Sequence, residues 1–196
     1  MPNTLGTLGT APDENFAPTL QSIGEQYPVL APYAANTVVQ RGNADDGRIL
    51  EHYPPWESDN PNPGKITMEL FDRSAKGPQL QSLVAADMLH TLGAIDPRTG
   101  APVDPSYYKL KQELAGSMSP EQHAMNQRAY EGERKFYPQG MPSYQDWMNS
   151  NRTDAYVRGG MFPEVNPEWA RPGTFTPQQA DIFKRMKTYL GGTGVY

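Results

Sequence analysis

Three histidines, His52, His90 and His123, and 22 acidic residues are the groups in this chain best equipped for chemistry. Imidazoles bind metals or move protons, but metal sites draw their ligands from short, recognisable spacings. These three fall on one predicted strand and two different predicted helices, so ordinary polar or half-buried imidazoles are the simpler reading. Glu51, Glu57, Asp59 and Glu69 surround Trp56, and carboxylates beside an indole suit sugar binding. Nothing in the sequence fixes the carboxylate separation that glycoside hydrolysis needs. The absence of Cys excludes disulfides, thiolate zinc sites and a Cys nucleophile, and fits a reducing compartment. Gly191-Gly192-Thr193-Gly194 follows a predicted helix, the wrong end of a helix dipole for a phosphate. No catalytic residue, metal or cofactor is assigned.

Those groups must be positioned by a chain that is only 37% hydrophobic and carries 20 Pro and 18 Gly in 196 residues. Arg48–Tyr53 and Lys65–Phe71 are the best strand candidates. In the second, Ile66, Met68 and Leu70 alternate with Thr67 and Glu69, giving one buried and one wetter face. Pro54–Gly64, between them, is too long for a tight turn and is stiffened by four prolines. From Gly77 onward the punctuation is helical. Pro78 to Gly93 and Asp104-Pro105 to Gly116 read as helices. Ser119-Pro120-Glu121-Gln122 and Thr176-Pro177-Gln178-Gln179 carry a cap, a first-position proline and a capping-box Gln. Ser143 opens a helix that Gly159-Gly160 is expected to stop.

Residues 1–35, with prolines at 2, 12, 18, 28 and 32, read as an extended arm that drops single side chains such as Phe16 into grooves. The expected fold class is α+β: a small antiparallel sheet with a packed helix, a helical C-terminal half and the Pro-rich arm. Residues 36–190 are expected to form one domain, with 36–93 supplying sheet plus helix and 94–190 the helical part, before a tail at 191–196. Fixing such an arm costs on the order of 1–2 kcal/mol per residue, so its order is expected to come from intermolecular contact.

A net charge of −5 with scattered Lys and Arg argues against nucleic-acid binding. No apolar run approaches the roughly 20 residues of a membrane span, and no signal peptide is read at the N-terminus. The ring-rich loop is the expected contact surface, with Tyr53, Pro54, Pro55, Trp56 and Phe16 as anchors, because large amphipathic rings dominate interfaces. Trp56 could equally fold back over Ile66, Met68 and Leu70.

Two resemblances add to this reading. Strand Lys65–Phe71 followed by helix Leu83–Gly93 resembles the central unit of zincin metallopeptidases, whose helix carries H-E-x-x-H. Ala86 stands at the first His, Asp87 at the Glu and His90 at the second His. The resemblance therefore implies a metallopeptidase or its inactive descendant, with one ligand missing because Ala86 cannot coordinate zinc. The alternative is an amphipathic helix on which Asp87 and His90 form a surface pair.

The run from Leu50 to Lys65, with Tyr53-Pro54-Pro55-Trp56 at its centre, is followed by Ala85-Ala86-Asp87-Met88-Leu89-His90 and Asp154-Ala155-Tyr156-Val157-Arg158-Gly159. Together they resemble a family of virion-associated proteins of tailed bacteriophages. That resemblance implies a virion location after synthesis in the host cytoplasm, other virion proteins as partners in a homo- or hetero-oligomeric assembly, and no assigned chemistry. A module that binds a host protein is a third reading.

Overall fold

The computed structural model describes residues 15–42, 50–71, 75–136, 140–163 and 174–191. Their architecture is α+β. Helix α1 (Ala17–Gln26), a 3-10 turn (Pro28–Leu30) and helix α2 (Ala31–Ala35) open the described chain. They correct the extended arm for this stretch; residues 1–14 and 192–196 lie outside the described residues. Of the prolines that suggested an irregular strap, Pro18, Pro28 and Pro32 each sit at the first or second position of an element. There the missing N–H costs nothing and φ is already set for a helix. Ile23 and Leu30 are fully buried and Phe16 and Ala34 nearly so, which makes residues 16–35 part of the domain core.

Strands β1 (Thr37–Arg41), β2 (Leu50–Tyr53) and β3 (Ile66–Leu70) form a sheet in the order β1-β3-β2. β2 and β3 are antiparallel, with Leu50 opposite Leu70 and Tyr53 opposite Thr67. β1 runs parallel to β3, with Thr37 opposite Ile66, so the sheet is mixed and not antiparallel throughout. Five residues with adjacent valines give no clear alternation, which hides β1 in the sequence. Register places Val39, Leu50, His52, Ile66, Met68 and Leu70 on one face. Gln40, Glu51, Tyr53, Thr67 and Glu69 share the other, where Gln40 Nε2 donates to Glu69 Oε1 at 2.6 Å.

Helix α3 (Gly77–Leu92) is buried on nearly every side, from Leu80 through Leu92, and packs against β3 and α1. An all-round apolar helix belongs at the centre of a fold, so the amphipathic surface helix expected here is corrected to a central one. A short hairpin, β4 (Ile95–Asp96) and β5 (Ala101–Pro102), follows, with Gly100 at φ 69° in its turn. The rest is helical: α4 (Pro105–Gly116), α5 (Pro120–Phe136), α6 (Tyr144–Trp147), a π-helical turn (Met148–Arg152), α7 (Thr153–Met161) and α8 (Pro177–Leu190).

The cap signals act as their chemistry requires. Asp104 accepts from the Tyr107 N–H, and Ser119/Gln122 and Thr176/Gln179 each form reciprocal capping boxes. Gln122 and Gln179 also bond to one another at 3.0–3.1 Å, which ties the starts of α5 and α8 together. Gly159-Gly160 does not stop α7. A Cβ on Gly160 would lie 2.3 Å from the Phe183 ring, so this glycine permits the close approach of α7 to α8. Among the described residues no helix is long and apolar enough to cross a membrane.

Candidate functional site

The loop between β2 and β3 is built around one buried amide. Asn60 Nδ2 donates to the carbonyls of Lys65 (2.7 Å), Pro54 (2.9 Å) and Tyr53 (3.3 Å). Its Oδ1 accepts from Thr67 Oγ1 (2.7 Å) and the Asn62 N–H (2.8 Å). One side chain thereby ties both ends of the loop to the sheet and holds Tyr53, Pro54, Pro55 and Trp56 half-buried at its shoulder. Asn60→Ala is expected to cost about 2 kcal/mol, because several buried partners lose their bonds at once. Urea denaturation would read the loss, and a change below about 0.5 kcal/mol would show that the loop is held by its prolines alone.

Behind this shoulder, α3, α4 and α7 meet in a polar cluster. Asp87 and His90 lie three apart on α3, and Asp154 and Arg158 lie four apart on α7. These spacings place each pair on one helix face. Arg158 Nη2 donates to Asp87 Oδ1 at 3.0 Å, and His90 Nδ1 meets Asp154 Oδ2 at 2.6 Å. A carboxylate only accepts, so the proton of that second bond sits on Nδ1, and in the neutral ring Nε2 is left as the acceptor. Lys111 of α4, 3% exposed, completes the group with its Nζ 2.6 Å from Asp154 Oδ1. Gly93 makes room for it: a Cβ there would come within 2.8 Å of Lys111 Cδ.

His52 reaches the same cluster from β2. Its ring lies edge-on to His90, with centroids 5.4 Å apart, and its Nε2 is 2.7 Å from Thr91 Oγ1. Nδ1 is buried without a partner, and a bare acceptor there costs less than an orphaned N–H would, so Nε2 carries the proton. Burial pushes the His52 pKa down to about 3, helped by the charge that His90 carries when protonated and by that of Arg158. Burial also raises the Asp87 carboxyl, opposed by Arg158 and His90, and one Asp87 oxygen has no hydrogen bond. The Tyr107 hydroxyl, fully buried and unpartnered, is raised well above the usual phenol range by burial and by Asp154 and Asp104.

The cluster opens on a cavity of about 330 Å³ whose walls include Trp56, His90, Tyr108, Lys111, Asp146 and Asn149. A second cavity of about 400 Å³ lies toward Tyr33, Ile66 and Arg98, and Trp56 also lines it. The Arg98 guanidinium lies 6.0 Å from the centroid of a Trp56 ring and is itself held by Asp96.

Several sequence expectations change here. Phe16, expected as an interface anchor, is buried with the Arg41 guanidinium 5.5 Å from its ring, because α1 folds it into the core. Asp87 and His90 do not form a surface pair; each is bonded to α7 instead, and Asp87 is buried. Ala86 is buried and offers no donor. Of the three histidines, His52 and His90 come together, while His123 is exposed on α5. Glu51 and Glu69 are cross-strand partners on the polar sheet face, and Glu57 and Asp59 are exposed on the loop. Sequence reasoning missed Lys111, Asp154, Tyr108 and Asn149. The i,i+4 spacing of Asp154 and Arg158 against the i,i+3 spacing of Asp87 and His90 was the available signal. Among the described residues no group of three or more His, Asp or Glu is placed to hold a metal ion. In comparison with known proteins, no family profile matches the chain, and neither a curated protein nor a solved structure matches it significantly.

Proposed function

We propose that the chain is a structural or assembly component of a tailed-phage particle, in its tail, portal-proximal region or internal protein set. It acts through contacts with other virion proteins in a homo- or hetero-oligomeric assembly. The observation that carries this reading is the Asn60-clamped loop, which presents Tyr53, Pro54, Pro55 and Trp56 in a fixed, half-exposed arrangement. A preformed aromatic surface loses little entropy on docking, and Trp is the side chain most often found at the centre of binding energy.

The test has two parts. Purified particles and assembly intermediates are analysed by mass spectrometry for the chain, and its absence from both would retire the reading. Trp56→Ala is then expected to weaken association with the neighbouring virion protein by about 2 kcal/mol while leaving monomer melting near the parent value. An equal loss in monomer stability would place Trp56 in the fold's own packing instead.

A zincin-like metallopeptidase or its inactive descendant is the second reading, favoured by His90 standing at a cavity wall. One equivalent of zinc in the purified protein, lost on His90→Ala, is the result that would promote it.

A further inference from the structure

We propose that the cavity between Trp56 and Tyr108 is a binding site for a neutral saccharide, in which His90 Nε2 accepts a hydrogen bond from a sugar hydroxyl. The inference does not depend on the particle reading.

The first argument is the cost of the arrangement behind the cavity. An almost fully buried lysine and a largely buried aspartate must be desolvated, which takes several kcal/mol per ion before their attraction repays it. What that ion pair does locally is orient one imidazole. Asp154 accepts a hydrogen bond from the Nδ1–H of His90, and Lys111 balances Asp154. His90 is left 37% exposed on the cavity wall with Nε2 free of any protein hydrogen bond among the described residues. Polar groups held at such cost concentrate at functional sites. Lys111 and Asp154 are positioning residues here, and His90 is the group that meets the ligand.

The second argument is the chemistry of the walls. Trp56 and Tyr108 supply aromatic surface, onto which the C–H face of a pyranose packs, with loss of apolar area to water. The polar contributors are a carboxylate (Asp146), an amide (Asn149) and the imidazole. Asn149 Oδ1 accepts from Gln145, which leaves its two Nδ2 protons to donate. The Lys111 charge is already balanced by Asp154, so a phosphate or other anion meets no unpaired lysine on this wall. Acceptors and donors without net positive charge, beside flat rings, suit vicinal hydroxyls. The volume is at the small end of ligand sites, which fits one or two sugar rings and not a long chain.

A third observation concerns how the polar wall is made. Asn149 lies on the π-helical turn between α6 and α7. π turns are rare and recur where a helix must redirect side chains toward a site. Here the turn carries the chain from Asp146, at one wall of the cavity, to Asp154, the partner of His90.

The experiment titrates the full chain with a panel of neutral oligosaccharides of gluco, manno, galacto and N-acetylated types, read by saturation-transfer NMR and calorimetry. At least one is expected to bind with millimolar or tighter affinity. His90→Phe and Tyr108→Ala are each expected to weaken that binding roughly tenfold or more while far-ultraviolet circular dichroism stays that of the parent. Tyr108→Ala, at a half-buried position, serves if His90→Phe fails to fold. No binding by any member of the panel overturns the proposal, as does binding that both variants retain. Binding of an anionic oligosaccharide or an aromatic peptide in place of the neutral sugars overturns it too. Loss of sugar binding in His90→Phe with partner association intact separates this site from the docking surface.

Discussion

Replacing Lys111 by Met is expected to destabilise the protein by about 3–5 kcal/mol, a large fraction of the total stability of a domain this size. The Met side chain fills a similar volume, so the loss is electrostatic. Asp154, 14% exposed, would be left with His90 as its remaining side-chain partner, and removing one member of a buried ion pair is among the more damaging single substitutions. The double variant Lys111→Met with Asp154→Asn is expected to recover most of the loss, because a neutral amide needs no counter-ion and its carbonyl still accepts from His90 Nδ1. Guanidinium or urea denaturation of the four proteins of the cycle reads both effects. A cost under about 1 kcal/mol for the single change would mean that water, and not Lys111, satisfies Asp154.

Acid is expected to weaken the fold through His52. Its folded-state pKa of about 3 lies below the roughly 6.5 of an unfolded histidine. Between those values the unfolded chain binds a proton that the folded chain refuses. The His52 contribution to stability is therefore intact above about pH 6.5 and is lost as pH falls toward 3, at about 1.4 kcal/mol per unit. Because His52 is only part-buried by surface area, the total is set at about 3–4 kcal/mol. The charged group facing it is Arg158, joined by His90 whenever that ring is protonated, with Thr91 as its hydrogen-bond partner. Asp87 acts in the opposite sense: its raised carboxyl takes up a proton in the folded state first, which favours the fold in acid and trims the slope at its lower end. Denaturation of the parent and of His52→Gln, compared from about pH 7 to about pH 4, isolates the His52 part. A parent slope no steeper than that of the variant would show that His52 is not held neutral.

Much of the helical half was legible because its signals are local. Asp104, Ser119, Ser143 and Thr176 are caps whose side chains bond within three residues, so spacing alone identifies them. The β2–β3 pairing was legible from the Ile66-Met68-Leu70 alternation. The N-terminal helices were not, because Pro18, Pro28 and Pro32 read as breakers until each is known to occupy a first turn. Gly160 read as a stop because its reason for being glycine is the ring of Phe183, a contact set by tertiary packing. The candidate site was the least legible part. His90 finds Asp154 64 residues away and Asp87 finds Arg158 71 residues away. Local spacing puts each pair on one helix face, but which pair meets which is decided only by the packing of α7 on α3.

The β1-β3-β2 order also constrains when the domain can form during synthesis. Residues 16–41 are synthesised before the rest of the described chain, yet β1 has no partner until β3 exists, Ile23 of α1 stays uncovered until the apolar α3 emerges, and the 3-10 turn that carries Leu30 waits for α8. The β2–β3 pair can close early across its loop, whereas the parallel pairing of β1 must wait for a longer excursion of chain, and such non-local contacts form slowly. The nascent N-terminal third therefore passes through an interval with an open strand edge and bare aliphatic surface. That interval, more than the finished fold, is where aggregation competes with folding and where a chaperone would bind.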